Sequence, residues 1–235
     1  MKVKYEKILL KLSGEALSGD GEVFSEKIID FMIEEIKKVL SLGVKVGIVV
    51  GGGNIFRGRM GEGRGFDRVV GDYVGMLSTV INSLILSEKF RIAGVDSVVF
   101  SGIESPLVYY PVDVNRAKIL FNEGKVVFFA GGTSNPFFTT DSAAALRAVE
   151  MECKLLIKAT KVSGLYDRDP EKYPDAKFVE RATYNEVIEK DLNVMDITAF
   201  SMCKEYGIKI VITNFFKKDN LLNIVTGKIR GSIIE

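Results

Sequence analysis

Short apolar runs alternate along the chain with stretches whose apolar residues recur at helical spacing. Ile8–Leu12, Val44–Val50, Asp96–Ser101, Val126–Ala130, Lys154–Ala159 and Ile208–Thr213 are too short for helices, and most are rich in β-branched or aromatic residues. They predict strands of a buried sheet. Between the first two, Ile29, Met32, Ile33, Ile36, Val39 and Leu40 mark one helical face, with Ser25 placed to cap it and Gly43 to end it. Residues 8 to 50 therefore predict a βαβ unit, which requires parallel strands. A long apolar helix is expected from Asp67–Tyr73 to about residue 90, then helices over Asn115–Asn122, Ala143–Met151, Tyr184–Lys190 (capped by Thr183) and Met195–Tyr206. Asp219 or Asn220 caps a last helix, and Gly231–Ile234 reads as an edge strand. Gly19–Phe24 and Pro174–Ala182 read as a turn-rich loop and a polar connector, Arg59–Arg64 as a mobile loop, and Val108–Val114 carries no regular signature. The alternation predicts an α/β fold in one compact unit with a parallel sheet.

Chemistry collects where these strands end, as it does in open α/β sheets. Val44–Val50 runs into Gly51-Gly52-Gly53, where backbone amides can approach an anion, and Arg57 follows as a planar cation suited to phosphate. A tight structural turn is the alternative. The pattern is neither a Walker loop nor a Rossmann fingerprint. Ile8–Leu12 delivers Lys11 with Ser13 and Gly14, either a phosphate contact or a solvated strand-end lysine. Asp72, near a helix start, either complements the helix dipole or accepts ribose hydroxyls. After Val126–Ala130 comes Gly131-Gly132-Thr133-Ser134-Asn135-Pro136-Phe137-Phe138-Thr139-Thr140-Asp141, which sets two threonines and an aspartate at a helix N-terminus. Tyr166 and Asp169, beyond the strand ending at Ala159 and Thr160, suit base stacking and nucleotide contact, or an ordinary turn with one packed aromatic.

Composition narrows the chemistry. Among 235 residues there is no histidine, so the commonest general base and zinc ligand is missing. Cys153 and Cys203 lie far apart without metal spacing. Carboxylates, lysines, arginines, backbone amides and Mg²⁺ are left to carry the chemistry. A net charge of +1 offers no general attraction to nucleic acid or membrane. No apolar run approaches a membrane span and no signal sequence is evident, so a soluble cytoplasmic protein is expected. The lack of glutamine and tryptophan beside many Lys, Glu, Ile and Val residues leans towards a thermophilic source.

Seven segments in order, Lys11-Leu12-Ser13-Gly14-Glu15-Ala16-Leu17, Gly51–Gly58, Arg68–Asp72, Gly75-Met76-Leu77, Asn135–Ser142, Lys158–Lys161 and Val194-Met195-Asp196, resemble the bacterial uridylate kinases (UMP kinases) of the amino-acid-kinase superfamily. The resemblance spans essentially the whole chain. It implies a three-layer αβα sandwich with a mostly parallel central sheet, forming a single domain over 1–235. UMP would bind in the part to about 150 and ATP in the part from about 151. The implied activity is transfer of the γ-phosphoryl of ATP to UMP, giving UDP and ADP in pyrimidine nucleotide biosynthesis. By the same resemblance Lys11, Arg57 and Asp141 are catalytic, with Asp141 organising the lysine and its Mg²⁺ surroundings. Lys11, Leu12, Ser13, Gly14, Gly53, Arg57, Thr160, Tyr166 and Asp169 bind ATP. Gly52, Arg57, Asp72 and the run Thr133, Ser134, Asn135, Pro136, Phe137, Phe138, Thr139 and Thr140 bind UMP. Mg²⁺ arrives with ATP, with no protein metal ligand assigned. UTP is an expected inhibitor, GTP a possible activator, and a homohexamer packed through the long helix the expected assembly.

Departures from the family pattern are Ser134, where glycine is usual, Ser163, where Asp or Asn is usual, and the Gly19–Phe24 loop, which lacks the fuller glycine-aromatic-glycine pattern tied to GTP activation. A kinase of an amino-acid carboxylate would share the glycine loop but not Asn135–Asp141. A non-catalytic relative would lose Lys11 or Asp141, and this chain keeps both.

Overall fold

The computed structural model describes residues 2–56, 65–170, 172–190, 192 and 195–235. Arg57 and the loop expected over Arg59–Arg64 lie outside the described residues. The first strand β1 (Lys7–Leu12), helix α1 (Glu26–Leu40) and strand β2 (Lys45–Val50) form the expected βαβ unit, with β1 and β2 parallel and Lys11 opposite Val49. Helix α2 (Arg68–Ile92) follows, then β3 (Ser97–Ser101), β4 (Tyr110–Pro111), α3 (Val114–Glu123), β5 (Val126–Ala130), α4 (Thr140–Glu150) and β6 (Leu155–Thr160). A small hairpin, β7 (Leu165–Tyr166) with β8 (Phe178–Val179), stands apart from the main sheet. The chain closes with β9 (Arg181–Ala182), α5 (Tyr184–Glu189), α6 (Ile197–Glu205), β10 (Lys209–Asn214), α7 (Asn220–Val225) and β11 (Ser232–Ile234).

One nine-stranded sheet, ordered β4-β3-β5-β2-β1-β6-β10-β11-β9, runs through the chain and is parallel except where β11 meets β10. Strand alternation sends Ile8, Leu10 and Leu12 to one face, packed by α1, α2 and α7, and Leu9 to the other, packed by α3, α4, α5 and α6. That is the expected sandwich. Because β2 lies on one side of β1 and β6 on the other, the chain reverses direction across the sheet at β1. In open α/β sheets ligands bind outside the carboxyl ends of strands at such a reversal, and Lys11 stands there.

Several local expectations change. Ser25 occupies the α1 cap position without a side-chain bond to it. Asp219 precedes α7 in a left-handed conformation (φ 62°) and caps nothing, because its carboxylate pairs with Lys38 at 2.7 Å. Asn220 instead is buried, its Nδ2 donating to Thr213 Oγ1 and the Asn214 carbonyl. β11 is not an edge strand, since β9 from the supposed polar connector pairs beyond it. Helix α2 is long and apolar enough by composition to cross a membrane, contrary to the expectation that no segment is. It packs along the sheet with Val80, Leu86 and Phe90 in the core, as a core helix of a globular domain does.

Candidate active site

Strand parity builds the centre of the site. Lys11 shares the β1 face with Leu9, and Lys158 shares the β6 face with Leu156, so both project towards the α4 side. Parallel register makes the two lysines neighbours, Lys11 opposite Lys158. Into the gap between them α4 delivers Asp141, whose Oδ1 lies 2.8 Å from Lys11 Nζ and whose Oδ2 accepts from Lys158 Nζ at 2.7 Å. Asp141 and Lys11 are each 8% exposed. Burial works to raise the Asp141 pKa, but the two ammonium groups outweigh it and hold the carboxyl below its usual range. Burial pushes the Lys158 pKa down, with the Lys11 charge adding to the effect and Asp141 opposing it. Two cations share one carboxylate, an excess of positive charge at a strand-end crevice that suits a polyphosphate.

Asp141 does not cap α4. Thr139 does, its Oγ1 accepting from the amides of Asp141 and Ser142. Thr139 Oγ1 and Ser142 Oγ in turn donate to Asp196, which caps α6 through the Ala199 amide. The helix that presents Asp141 is thereby tied to α6.

Beside this cluster the β1 and β2 loops interlock. The Gly51 amide donates to the Leu12 carbonyl at 2.9 Å. A Cβ on Gly14 would fall 2.5 Å from Gly53 N and 2.6 Å from both Asn54 Oδ1 and Gly51 O, so only glycine fits. Leu12 is in the core, and only its backbone is available to a ligand.

A cavity of about 140 Å³ opens next to Thr140. Its walls include Gly52, Asp72, Thr133, Asn135, Phe138, Thr139 and Thr140 from the candidate UMP set. Ser134, Pro136 and Phe137 do not line it. Asp72 sits a turn inside α2 rather than at its cap, which is Asp67. Its carboxylate accepts from Arg68 Nε at 3.0 Å and from the Phe137 amide at 2.8 Å, so a ribose would have to replace or share these donors. Gly71 and Gly75, one turn apart on α2, also line the cavity. A Cβ there would meet no protein atom within 4 Å, so their bare surface leaves room to the cavity. Ser134 has φ 69°, the left-handed conformation that favours glycine.

Of the other ATP candidates, Thr160 ends β6 and donates to the Val162 carbonyl at 2.8 Å. Tyr166 lies on the β7–β8 hairpin, edge-on to Phe178 with ring centres 5.5 Å apart. Asp169 opens the turn beyond it, its carbonyl accepting from the Tyr173 amide. Sequence reasoning passed over Lys158 as a site residue, although it lies in one of the resembling segments. Only strand pairing brings it to Asp141.

The Amino acid kinase family pattern matches residues 6–214. The uridylate kinase of Fervidobacterium nodosum is 50% identical over 231 residues, 98% of both chains, and that of Thermosipho melanesiensis is 48% identical over the same share of each. The UMP kinase structure from Bacillus anthracis superposes with a TM-score of 0.95 at 35% identity, covering 98% of this chain and 96% of that one. With this fold, this site and these relatives, the chain belongs to the amino acid kinase family and, within it, to the uridylate kinases.

Proposed function

We propose that the protein transfers the γ-phosphoryl of ATP to UMP, yielding ADP and UDP, as a soluble cytoplasmic enzyme of pyrimidine nucleotide biosynthesis. The observation that carries this reading is the Lys11–Asp141–Lys158 cluster at the sheet's reversal point, one residue from the cavity walled by Thr140 and Asp72. Phosphoryl transfer calls for positioning and charge neutralisation rather than a histidine base, because the UMP phosphate is already anionic near neutral pH. Lys11 and Lys158 would bear on the transferring phosphoryl and the leaving ADP, and Asp141 fixes both ammonium groups before substrate arrives. Arg57 would add charge from the loop after Gly53. Ser13, Gly14 and Gly53 bring backbone towards the ATP phosphates, with Thr160, Tyr166 and Asp169 towards its nucleoside. Residues 1 to about 150 would then hold UMP and reach the ATP phosphates, and the remainder would hold the rest of ATP.

Among the described residues no group of three or more acidic, cysteine or histidine side chains could cage a metal. Both Asp141 oxygens already face lysines. These residues fit Mg²⁺ carried by the ATP phosphates, where it would neutralise charge, better than Mg²⁺ held by the protein.

Asp72 would take the ribose hydroxyls. Loss of the 2′-hydroxyl removes a donor that this half-buried carboxylate would take in exchange for Arg68 or the Phe137 amide, at a cost of about 1 to 3 kcal/mol, so dUMP should be about one to two orders of magnitude poorer. UTP would inhibit from the same uridine site, and GTP would activate from a separate site in a homohexamer. Incubation with ATP, Mg²⁺ and each nucleoside monophosphate in turn tests the reading. UDP should form fastest, and equal turnover of all acceptors, or none, overturns it.

A further inference from the structure

Helix α2 carries a short polar row on its buried side, within an otherwise apolar stretch. Ser78, Thr79 and Asn82 are buried there beside Met76, Val80 and Leu86, and Asn82 is fully inaccessible. A buried carboxamide destabilises a protein unless its donors and acceptor are met. Those of Asn82 are. Its Nδ2 donates at 2.7 Å to both the Gly51 carbonyl and Asn54 Oδ1, and its Oδ1 accepts from Asn54 Nδ2 at 3.0 Å. The Gly51 carbonyl and Asn54 Oδ1 are also two of the three atoms that confine Gly14. One side chain on α2 thus holds the node where the β1 and β2 loops meet.

Three residues earlier on the same face, Thr79 Oγ1 donates to the Met76 carbonyl at 2.7 Å and accepts from the Gly131 amide at 2.8 Å. Gly131 opens the β5 loop that runs to Asn135 and the α4 cap. Between the two anchors, a Cβ on Gly52 would lie 2.7 Å from both the Gly75 carbonyl and Ser78 Cβ, so α2 packs directly on that loop. All three glycine loops that face the nucleotides are therefore held from one face of one helix. The same helix carries Asp72.

We infer that Asn82 and Thr79 are positioning residues for phosphoryl transfer, Asn82 registering the β1 and β2 loops against each other and Thr79 setting the β5 loop at the acceptor cavity. This rests on the kinase reading above. The Asn82–Asn54 pair is reciprocal and the Thr79–Gly131 bond is buried, so Asn82 fixes the start of the β2 loop and Thr79 the start of the β5 loop, whose far end is tied to α2 separately by the Phe137 amide donating to Asp72. Misplacing reacting groups by about 1 Å can cost on the order of 100-fold in rate, which is why a remote carboxamide matters here.

The test uses Asn82→Asp, Thr79→Val and Thr79→Ser in the full chain. Asn82→Asp should lower kcat by at least about tenfold and raise KM for both ATP and UMP, because it removes the donor to Gly51 that orders both loops. Thr79→Val, nearly isosteric but without the hydroxyl, should raise KM for UMP by about five- to tenfold and leave KM for ATP within about twofold. Thr79→Ser should restore it. Amide hydrogen exchange, read without substrate, should quicken at Gly51–Asn54 in Asn82→Asp and at Gly131–Asn135 in Thr79→Val. Cooperatively melting variants with wild-type kcat, both KM values and exchange rates overturn the proposal. If Asn82→Asp does not fold, the Thr79 pair decides. Failure of the wild-type protein to form UDP would sink the kinase reading alone, since the exchange measurement still judges whether these residues hold the loops.

Discussion

Asp141 lies between two ammonium groups while Thr139 caps its helix. Asp141→Asn should therefore leave α4 capped but lower kcat by about 10² to 10³, the loss expected for one preorganised electrostatic partner. Near-normal turnover in the folded variant would remove the carboxylate from catalysis. The pH dependence of stability carries a sign. With its folded pKa depressed below the ordinary 3.8, Asp141 stabilises the fold fully above that value and loses the contribution as pH falls through the lower folded value. The melting-temperature gap between wild type and Asp141→Asn should thus be full near neutrality and close in strong acid. A gap unchanged to pH 2 would contradict the ion-pair assignment. At the other end of the scale, the depressed Lys158 pKa of the free protein predicts that kcat/KM falls on an alkaline limb below the ordinary lysine value of 10.5. Lys158→Arg should shift that limb upward if the variant retains turnover.

At Ser134 the cost is conformational, a left-handed non-glycine residue made possible by Gly102. A Cβ on Gly102 would fall 1.6 Å from Ser134 Oγ and 2.9 Å from its Cβ, so rotating the hydroxyl away cannot clear the space. Gly102→Ala should destabilise the wild type yet be tolerated beside Ser134→Gly, with a coupling of about 1 to 3 kcal/mol in a double-mutant cycle. Additive effects in denaturant melts would show that the two positions do not compete.

At the scale of elements, the carboxyl ends of β1 and β2 function as one unit because their loops fill each other's space. The atoms around a Gly14 Cβ include backbone N of Gly53 and backbone O of Gly51, which cannot swing aside as a long side chain would. Gly14→Ala should then force the two loops apart, lowering stability by about 1 to 3 kcal/mol as overpacking does and raising KM for ATP and UMP together. A change confined to ATP would mean that the loops move independently. The ties from Asp196 to Thr139 and Ser142 act similarly, joining α4 to α6 by side-chain bonds.

For the whole molecule, α2 has two working faces. Its inner face holds the glycine loops, and its outer face leaves Val70, Tyr73, Leu77 and Ile81 each 45 to 50% exposed in a continuous stripe. Such a stripe exceeds what a lone surface helix needs and fits burial against a second copy. Light scattering at micromolar concentration should give a mass well above 26.0 kDa, and Leu77→Glu with Ile81→Glu should reduce it. A wild-type monomer would end the expectation of a hexamer.

Periodicity alone was enough for the six long parallel strands and seven α-helices of the described residues and for the parallel βαβ start, because burial on a sheet and along a helix leaves repeats of fixed period in the chain. The two-residue strands β4, β7, β8 and β9 are too short to leave one. Motif order carried the family. Local pattern was silent on partners distant in sequence: Lys158 reaches Asp141 only through the β1–β6 register, and Asn82 reaches Gly51 only when α2 lies across β2. The same limit explains the caps. Two threonines and an aspartate stand at the start of α4, and only packing decides that Thr139 caps the helix while Asp141 turns to Lys11 and Lys158. Backbone periodicity is a property of neighbours along the chain. Charge pairing and loop register depend on which strands lie side by side, and that was decided by the assembled sheet.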